Sequence, residues 1–464
     1  MKKEMVFNLL GLFFLVSLTA SCSLSSSMGL QLKGNDAYQH GRYREALGYF
    51  EESLEISRNS LVPSAESEYM IGNIYYWLGQ YDDALNNLEK ALAEYRERDI
   101  EQWVANTLNS MGFVYAAQGK YEKAIFTLKE ALEMKKQLTF SPGKAATLNN
   151  LGVVYMELAQ YEKALSYFED ALKIWTDKND VEHMVTAHAN IGFAYALLGQ
   201  YDKALSHEEK ALEMSKDVKN PLQRANSLMI IGKSFSSLGE FEKAVSYHEE
   251  AYGSLKELDT PFYTAACLHN FGETYTAMKE YEKAVTKYNE ALQIVKEINY
   301  PKGIAENLNG MGGVCTALAQ YDKALSYHEE AVMTAKKIKE PRSTAAGLNG
   351  IGDVHAAMGE YDKARSFYEE ALAIRKELNV SQDIAESLKS MGDLCSAEED
   401  YKKALSYHEE ALKIRRELKT PKEIIESLNC MSDDFMALGE SGKAQTYHEE
   451  ALRMDNKLNS YKEN

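Results

Sequence analysis

The sequence is sparing with the residues that staple, break or specially equip a chain. Its 464 residues include five cysteines, seven prolines and three tryptophans. No Cys-x-x-Cys pair and no Cys/His cluster appears, which leaves no sequence-local zinc motif or redox pair. Cys315 and Cys395 share a phase two repeats apart, Cys267 and Cys430 lie four repeats apart, and Cys395 and Cys430 are axially offset. Neighbouring helices sit about 8–10 Å apart and a disulfide needs Cα atoms within roughly 7 Å, so no intramolecular bridge is expected. There is no Gly-rich phosphate loop, no Gly-x-Ser-x-Gly and no His-Glu-x-x-His, which predicts a chain that is no enzyme and carries no cofactor or metal. Basic residues are also in deficit, 52 against 70 acidic, for a net charge of −18 and a pI near 5.2. That balance excludes nucleic acid as a partner and an electrostatic grip on anionic lipid. No apolar run reaches the roughly 20 residues of a bilayer span.

What the chain has in abundance is itself. One aromatic recurs every 40 residues at Tyr81, Tyr121, Tyr161, Tyr201, Phe241, Tyr281, Tyr321, Tyr361 and Tyr401, and one glycine recurs in step from Gly72 to Gly392. A fixed period of this size predicts one supersecondary unit stacked on copies of itself. Within residues 145–175, Leu148, Leu151, Gly152, Val154, Tyr155 and Leu158 fall at helical spacing, and so do Ala164, Leu165, Phe168, Ala171, Leu172 and Trp175. Two antiparallel helices therefore share each repeat, joined by turns such as Leu-Gly-Gln-Tyr at 198–201, where glycine suits the left-handed residue that ends a helix. The prolines, Pro63, Pro142, Pro221, Pro261, Pro301, Pro341 and Pro421, sit near one phase and mark the link to the next repeat.

These residues resemble the tetratricopeptide repeat. Leu151-Gly152, Tyr155, Ala164, Phe168 and Ala171 have that family's Leu-Gly-x-x-Tyr, Ala, Phe and Ala spacing. The repeat is about six residues longer than the usual 34, and wording such as Tyr-His-Glu-Glu-Ala is similar to the long-helix subgroup of kinesin light chains, Pins-type adaptors and bacterial multi-repeat proteins. The resemblance implies an all-α tetratricopeptide-repeat solenoid, a right-handed superhelix of about eleven antiparallel helix pairs over residues 28–464. It also implies a scaffold that binds a protein or peptide, either an extended peptide or a helix, in its concave groove.

Residues 1–21 read as a signal peptide: Lys2 and Lys3 precede an apolar run from Met5 to Val16, broken by Asn8 and Gly11, and small residues follow. Leu18-Thr19-Ala20-Ser21-Cys22 resembles a bacterial lipobox, which implies lipid on Cys22 and residues 22–27 as a polar tether. Ser23 would by family rules allow transfer to an outer membrane. On this reading the protein is exported and touches the membrane through its lipid alone; ordinary cleavage, giving a secreted or periplasmic protein, is the alternative because Thr19 stands where leucine is commoner.

The remaining candidates are phased. His248, His328, His408 and His448 occupy the site held by Phe168 and Tyr368, and read as packing residues on the second helix. A metal site would need ligands converging across repeats, which the spacing is not expected to offer. A polar ladder stands two and three positions before the repeat glycine: Asn109, Asn149, Asn150, Asn190, Asn270, Asn309, Asn349 and Asn429. Its amides either bond to adjoining helices or grip a ligand backbone, since an amide both donates and accepts. The position after the glycine is Asn73, Phe113, Val153 and Phe193 early and Glu273, Asp353, Asp393 and Asp433 late, with Glu306, Glu386 and Glu426 on the same helices, so the early half reads as apolar and the late half as acidic. With Tyr69, Tyr76 and Trp77 near the start, this predicts a ligand with an apolar or aromatic anchor at one end and basic residues at the other; a generally acidic surface is the alternative. Two further functions stay open. One is an assembly subunit that self-associates through an uncapped C-terminal end, the other an accessory subunit of an enzyme or secretion complex.

Overall fold

A computed structural model describes residues 25–59, 64–137 and 142–459, so Pro63 and the signal and lipobox residues lie outside the described residues. Among these, every regular element is a helix. A helix over 25–39 is followed by twenty-one more, from Tyr43–Asn59 to Ser441–Asn459, giving eleven pairs. We call the first helix of each pair A, the second B, and number the repeats 1 to 11; repeat 8, for example, pairs Pro301–Ala317 with Tyr321–Lys337. Helix A of repeats 6, 7, 8, 9 and 11 starts with proline at its first turn, where the missing N–H costs nothing. Each A-to-B turn holds one left-handed residue. It is glycine at 41, 79, 119, 199, 239, 359 and 439, but Ala159, Lys279, Ala319 and Glu399 take the same conformation.

Helices A and B meet through small residues. Ala164 and Ala171 are fully buried, as are their counterparts at Ala204, Ala211, Ala284 and Ala291. Gly152 lies against the ring of Phe168 so closely that a Cβ there would collide with it. Repeats 2 to 10 keep this glycine and both alanines, and repeats 1 and 11 keep two of the three, so similar packing recurs along the coil.

After about six repeats the coil returns on itself, and its second turn rests on the first. Phe262 of repeat 7 stacks edge-on to Trp77 at 4.6 Å and to Tyr43 at 5.8 Å. Leu378 and Val380 join the hydrophobic core that runs through Tyr121, Tyr161 and the other early repeats. Lys339 reaches Asp82 and Lys419 reaches Glu162, both 257 residues away, and Arg342 pairs with Glu157. The Lys339 and Lys419 pairs are well exposed and contribute little; the apolar contacts hold the turns together. The stacking is visible in burial. Tyr43, Tyr81, Tyr121, Tyr161 and Tyr201 are buried, whereas Phe241, Tyr281, Tyr321, Tyr361 and Tyr401, with no turn above them, are half-buried. Likewise Leu78 is 5% exposed and its counterpart Leu318 39%.

Both ends differ from the sequence-based expectation. The solenoid already runs at residue 25, so Ser27 is no tether residue: it is buried, with its hydroxyl 2.9 Å from that of Ser53. At the other end, the last B helix presents Gln445, His448, Glu449 and Arg453 outward and leaves Leu452 half-exposed, so it acts as its own polar cap. Leu458 is buried beside Gly199 of repeat 5.

The turn glycines separate strain from stacking. Gly119 and Gly199 have φ of 72° and 66°, and a Cβ would strike Leu378 and Pro421 of the overlying turn; Gly359 and Gly439, both at 77°, have nothing within 4 Å. Gly359→Ala and Gly439→Ala should each cost about 1–2 kcal/mol of left-handed strain. Gly119→Ala and Gly199→Ala should cost more in denaturant unfolding and also raise the radius of gyration in solution scattering. Equal losses and unchanged radii in all four would show that the turns do not press on one another.

Candidate functional site

The inner wall is built from the A helices, and its amides are largely engaged with one another. Asn150 donates to Asn109 Oδ1 at 3.0 Å and Asn190 to Asn149 Oδ1 at 3.1 Å, each bond joining the A helices of successive repeats. Asn349 is buried and bonds Ser390, Asp353 and Arg375. Asn309 donates to Ser343 O at 3.2 Å, and its Oδ1 accepts from His328 Nδ1 at 3.2 Å. Asn270 is buried and Asn429 exposed. The structural alternative for the ladder thus describes its early half, while Asn270 and Asn309 also face open space.

That space is a cavity of about 570 Å³ between the A helices of repeats 7, 8 and 9, lined among others by His269, Asn270, Glu273, Glu306, Asn309 and Arg342. A second, of about 470 Å³, shares Asn309 and carries Asn349, Asp353, Arg375 and Glu386. The two form one groove along repeats 7 to 10.

The late acids expected from sequence are there, but they are not bare. Lys233 lies 3.5 Å from Glu273, Lys302 is 3.8 Å from Glu306, Arg375 is 3.3 Å from Glu386, and Lys389 is 2.6 Å from Asp393. Burial opposes ionisation of Glu273, yet Lys233 and His269 outweigh it and hold the carboxyl well below the usual range. Asp353, by contrast, is pushed up to about 6 by burial, against the bonds from Tyr368 and Asn349. Sequence reasoning named none of these cations; Lys233, Lys302 and Lys389 stand on A helices, and Arg375 on a B helix. Lys135, Arg375 and Arg415 share one phase on helix B, and each reaches a hydroxyl 12 residues on, at Thr147, Ser387 and Ser427. That paired recurrence was the available signal. Trp77, expected as a ligand anchor, is instead packed between Tyr43 and Phe262, with its Nε1 donating to Tyr38 Oη at 2.9 Å.

The histidines divide. His248, His328 and His408 are buried against the repeat glycines, whereas His448, with no repeat beyond it, is exposed. Burial pushes His248 and His328 down to about 4. His408 goes the other way: burial disfavours its charge, but Asp393 and Asp434 outweigh that and lift it to about 8. The expectation that no ligand types converge across repeats does not hold here, since Asp393, His408 and Cys430 bring their ligand atoms within 4.8 Å of one another. The free cysteines Cys267, Cys315 and Cys395 are buried.

Tetratricopeptide-repeat family models match residues 33–64, residues 61–137 and, in seven overlapping windows, residues 143–457. The chain belongs to the tetratricopeptide-repeat family. No curated protein matches this tetratricopeptide chain. Among solved structures it is similar to a Rap protein complexed with competence and sporulation factor, at 15% identity over 85% of this chain and 99% of that one, with a TM-score of 0.53. It is also similar to aspartyl phosphate phosphatase F from Bacillus subtilis, at 15% identity over 76% and 93% of the two chains and a TM-score of 0.49. These likenesses are of fold.

Two buried groups give opposite pH signatures. His248, neutral in the fold, ionises on unfolding below about pH 6.5, so its share of stability is present above that and lost as pH falls toward 4. Glu208 is buried where repeats 2 and 3 carry Leu88 and Leu128, and burial raises its carboxyl well above the usual range. It folds neutral and ionises on unfolding, so stability falls as pH rises above about 4.3. His248→Phe should therefore gain stability over wild type most at pH 5, and Glu208→Leu most at pH 8, by about 1–3 kcal/mol each. Thermal melts across pH 4.5–8 check both; parallel curves for either variant would refute its assignment.

Proposed function

We propose that the chain is a non-catalytic scaffold that holds a short extended peptide of a protein partner against the inner face of repeats 7 to 10. The continuous groove carries this reading, because Asn270, Asn309, Glu306 and Arg342 put amide, acid and base along one wall, as backbone-directed recognition requires. An extended peptide fits better than a helix, since stacked turns close the flank: Arg342 meets Glu157 and Lys422 meets the Ser237 carbonyl, so the groove is reached along the coil axis. A basic side chain on the peptide finds Glu306, whose own partner Lys302 stands off at 3.8 Å. A second reading, self-association, is favoured by the half-exposed edge of Leu318, Met358 and Tyr361, which an overlying turn covers in the early repeats.

Retention of a positional-scanning synthetic hexapeptide library should show a preferred set with at least one basic position. Combining Glu306→Ala with Asn309→Ala should weaken the best member roughly tenfold or more, about 1.4 kcal/mol. Unselective retention, or affinity unchanged in the variant, would remove the groove from consideration. Sedimentation velocity on the same samples reads the second reading directly.

We further propose that the protein is exported and held at a bacterial membrane by lipid on Cys22. The support is the basic, apolar and small-residue succession before Cys22, and no described helix is long and apolar enough to cross a membrane. Cells fed radiolabelled palmitate should label the wild-type chain and not Cys22→Ser, with the variant leaving the membrane fraction. Equal labelling, or none in either, would refute the anchor.

A further inference from the structure

The fold brings three positions together at successive repeats: the one after the repeat glycine on helix A, the large position on helix B, and the one two before the glycine position on the next helix A. In repeat 9 these are Asp353, Tyr368 and Ser390, and Tyr368 Oη donates to Asp353 Oδ1 at 2.7 Å. In repeat 8 they are Gly313, His328 and Gly350, with Gly350 against the His328 ring. Repeat 7 places Glu273, Tyr288 and Gly310 there, and repeat 6 Lys233, His248 and Asn270. Repeat 10 alone fills all three with metal-ligating types: Asp393, His408 and Cys430.

We propose that Asp393, His408 and Cys430 form a transition-metal site, open to solvent on its Asp393 side and suited to zinc(II). Metal–ligand bonds of about 2.0–2.3 Å in a tetrahedron set the ligand atoms roughly 3.3–3.8 Å apart. Here His408 Nε2 is 3.2 Å from Asp393 Oδ1, and Cys430 Sγ is 3.9 Å from the same oxygen. A small adjustment of three side chains encloses an ion without moving a helix. One imidazole, one thiolate and one carboxylate are a borderline donor set, which favours zinc over calcium or magnesium.

The supports behind these ligands suit the role. His408 Nδ1 lies 2.7 Å from Asp434 Oδ2, and Asp434 Oδ1 accepts from Ser396 Oγ at 2.6 Å. A carboxylate on the far nitrogen of a ligating imidazole fixes its tautomer and aims the other nitrogen at the ion. Lys389 Nζ occupies Asp393 Oδ2 at 2.6 Å and leaves Oδ1 to face the site. Gly392 abuts the imidazole so closely that any Cβ would displace it, which fixes the ring's place. On binding, the Cys430 thiol proton and any proton on His408 Nε2 pass to solvent as the metal–sulfur and metal–nitrogen bonds form, with no change of oxidation state. Three protein ligands leave a fourth position for water.

The test uses the full chain, stripped with a chelator and titrated with zinc(II) against a chromogenic competitor, and separately with cobalt(II) while its visible spectrum is read. One ion per chain, with a thiolate-to-cobalt charge-transfer band, is expected. Cys430→Ser should lose that band and bind zinc at least tenfold more weakly. Serine is the residue at this position in repeats 2 and 9, as Ser110 and Ser390, so the variant keeps its fold, which circular dichroism verifies. His408→Phe, with the residue type of Phe168, should weaken binding likewise. No stoichiometric uptake by the wild type, or an unchanged affinity and spectrum in Cys430→Ser, would overturn the site and leave His408 as an imidazolium held between two carboxylates.

Discussion

How closely helix A can approach helix B decides the rest of this structure. Gly152 gives up its side chain to the Phe168 ring, and Ala164 and Ala171 are buried without remainder at the same seam. Helices packed over small residues run at the short end of the usual 8–10 Å separation. Because repeats 2 to 10 all keep this glycine and both alanines, successive repeats pack alike. A uniform increment can only produce a regular coil, and its size here brings the chain back over itself after about six repeats. Burial of Tyr43 through Tyr201, and the partial exposure of their later counterparts, follows from that arithmetic and not from any difference among the aromatics.

Closure of the coil in turn shapes the groove. An open tetratricopeptide arc exposes its inner face to partners from the side, but here Phe262, Leu378 and Val380 seal successive turns with apolar contact. The inner wall of repeats 7 to 10 is rich in paired charges. Pairing offsets the repulsion that so many carboxylates on one wall would otherwise exert on one another. It also makes the wall selective, since a ligand gains there by exchanging for an existing partner.

The fold was legible because its signals are repeated: the 40-residue period, the turn geometry and the link prolines each recur, and a recurring signal averages out local exceptions such as Ala159 or Lys279 in a glycine's place. The site was legible only in part. The phase of the asparagines showed which wall they line, but not that Asn109 meets Asn150 or Asn149 meets Asn190. Trp77 looked like an anchor because sequence cannot show that repeat 7 lies above repeat 2. The same blindness hid Arg342 and Glu157, which are 185 residues apart and meet only because the coil closes. What a single repeat dictates could be read; what depends on superhelical pitch could not.

Repeat architecture also explains where variation concentrates. The seam residues cannot change without altering the pitch, and the outer faces carry solvated pairs such as Glu249-Glu250 that specify nothing. Between them lies the convergence of two A helices and one B helix, where the large position must fill space but its chemistry is free. The chain uses that freedom, placing Leu88, Leu128, Phe168, Glu208, His248, Tyr288, His328, Tyr368 and His408 there in turn. The two positions facing it vary in step, from Val153 and Asn190 to Asp393 and Cys430. A polar residue at such a place is stable only when the facing positions supply its partners, as they do for Tyr368 and His408 and do not for His248, both of whose ring nitrogens lack a hydrogen-bond partner. The core filler of one repeat thus becomes a functional group of the next without any change of fold, and this column is where a scaffold of identical units acquires individual sites.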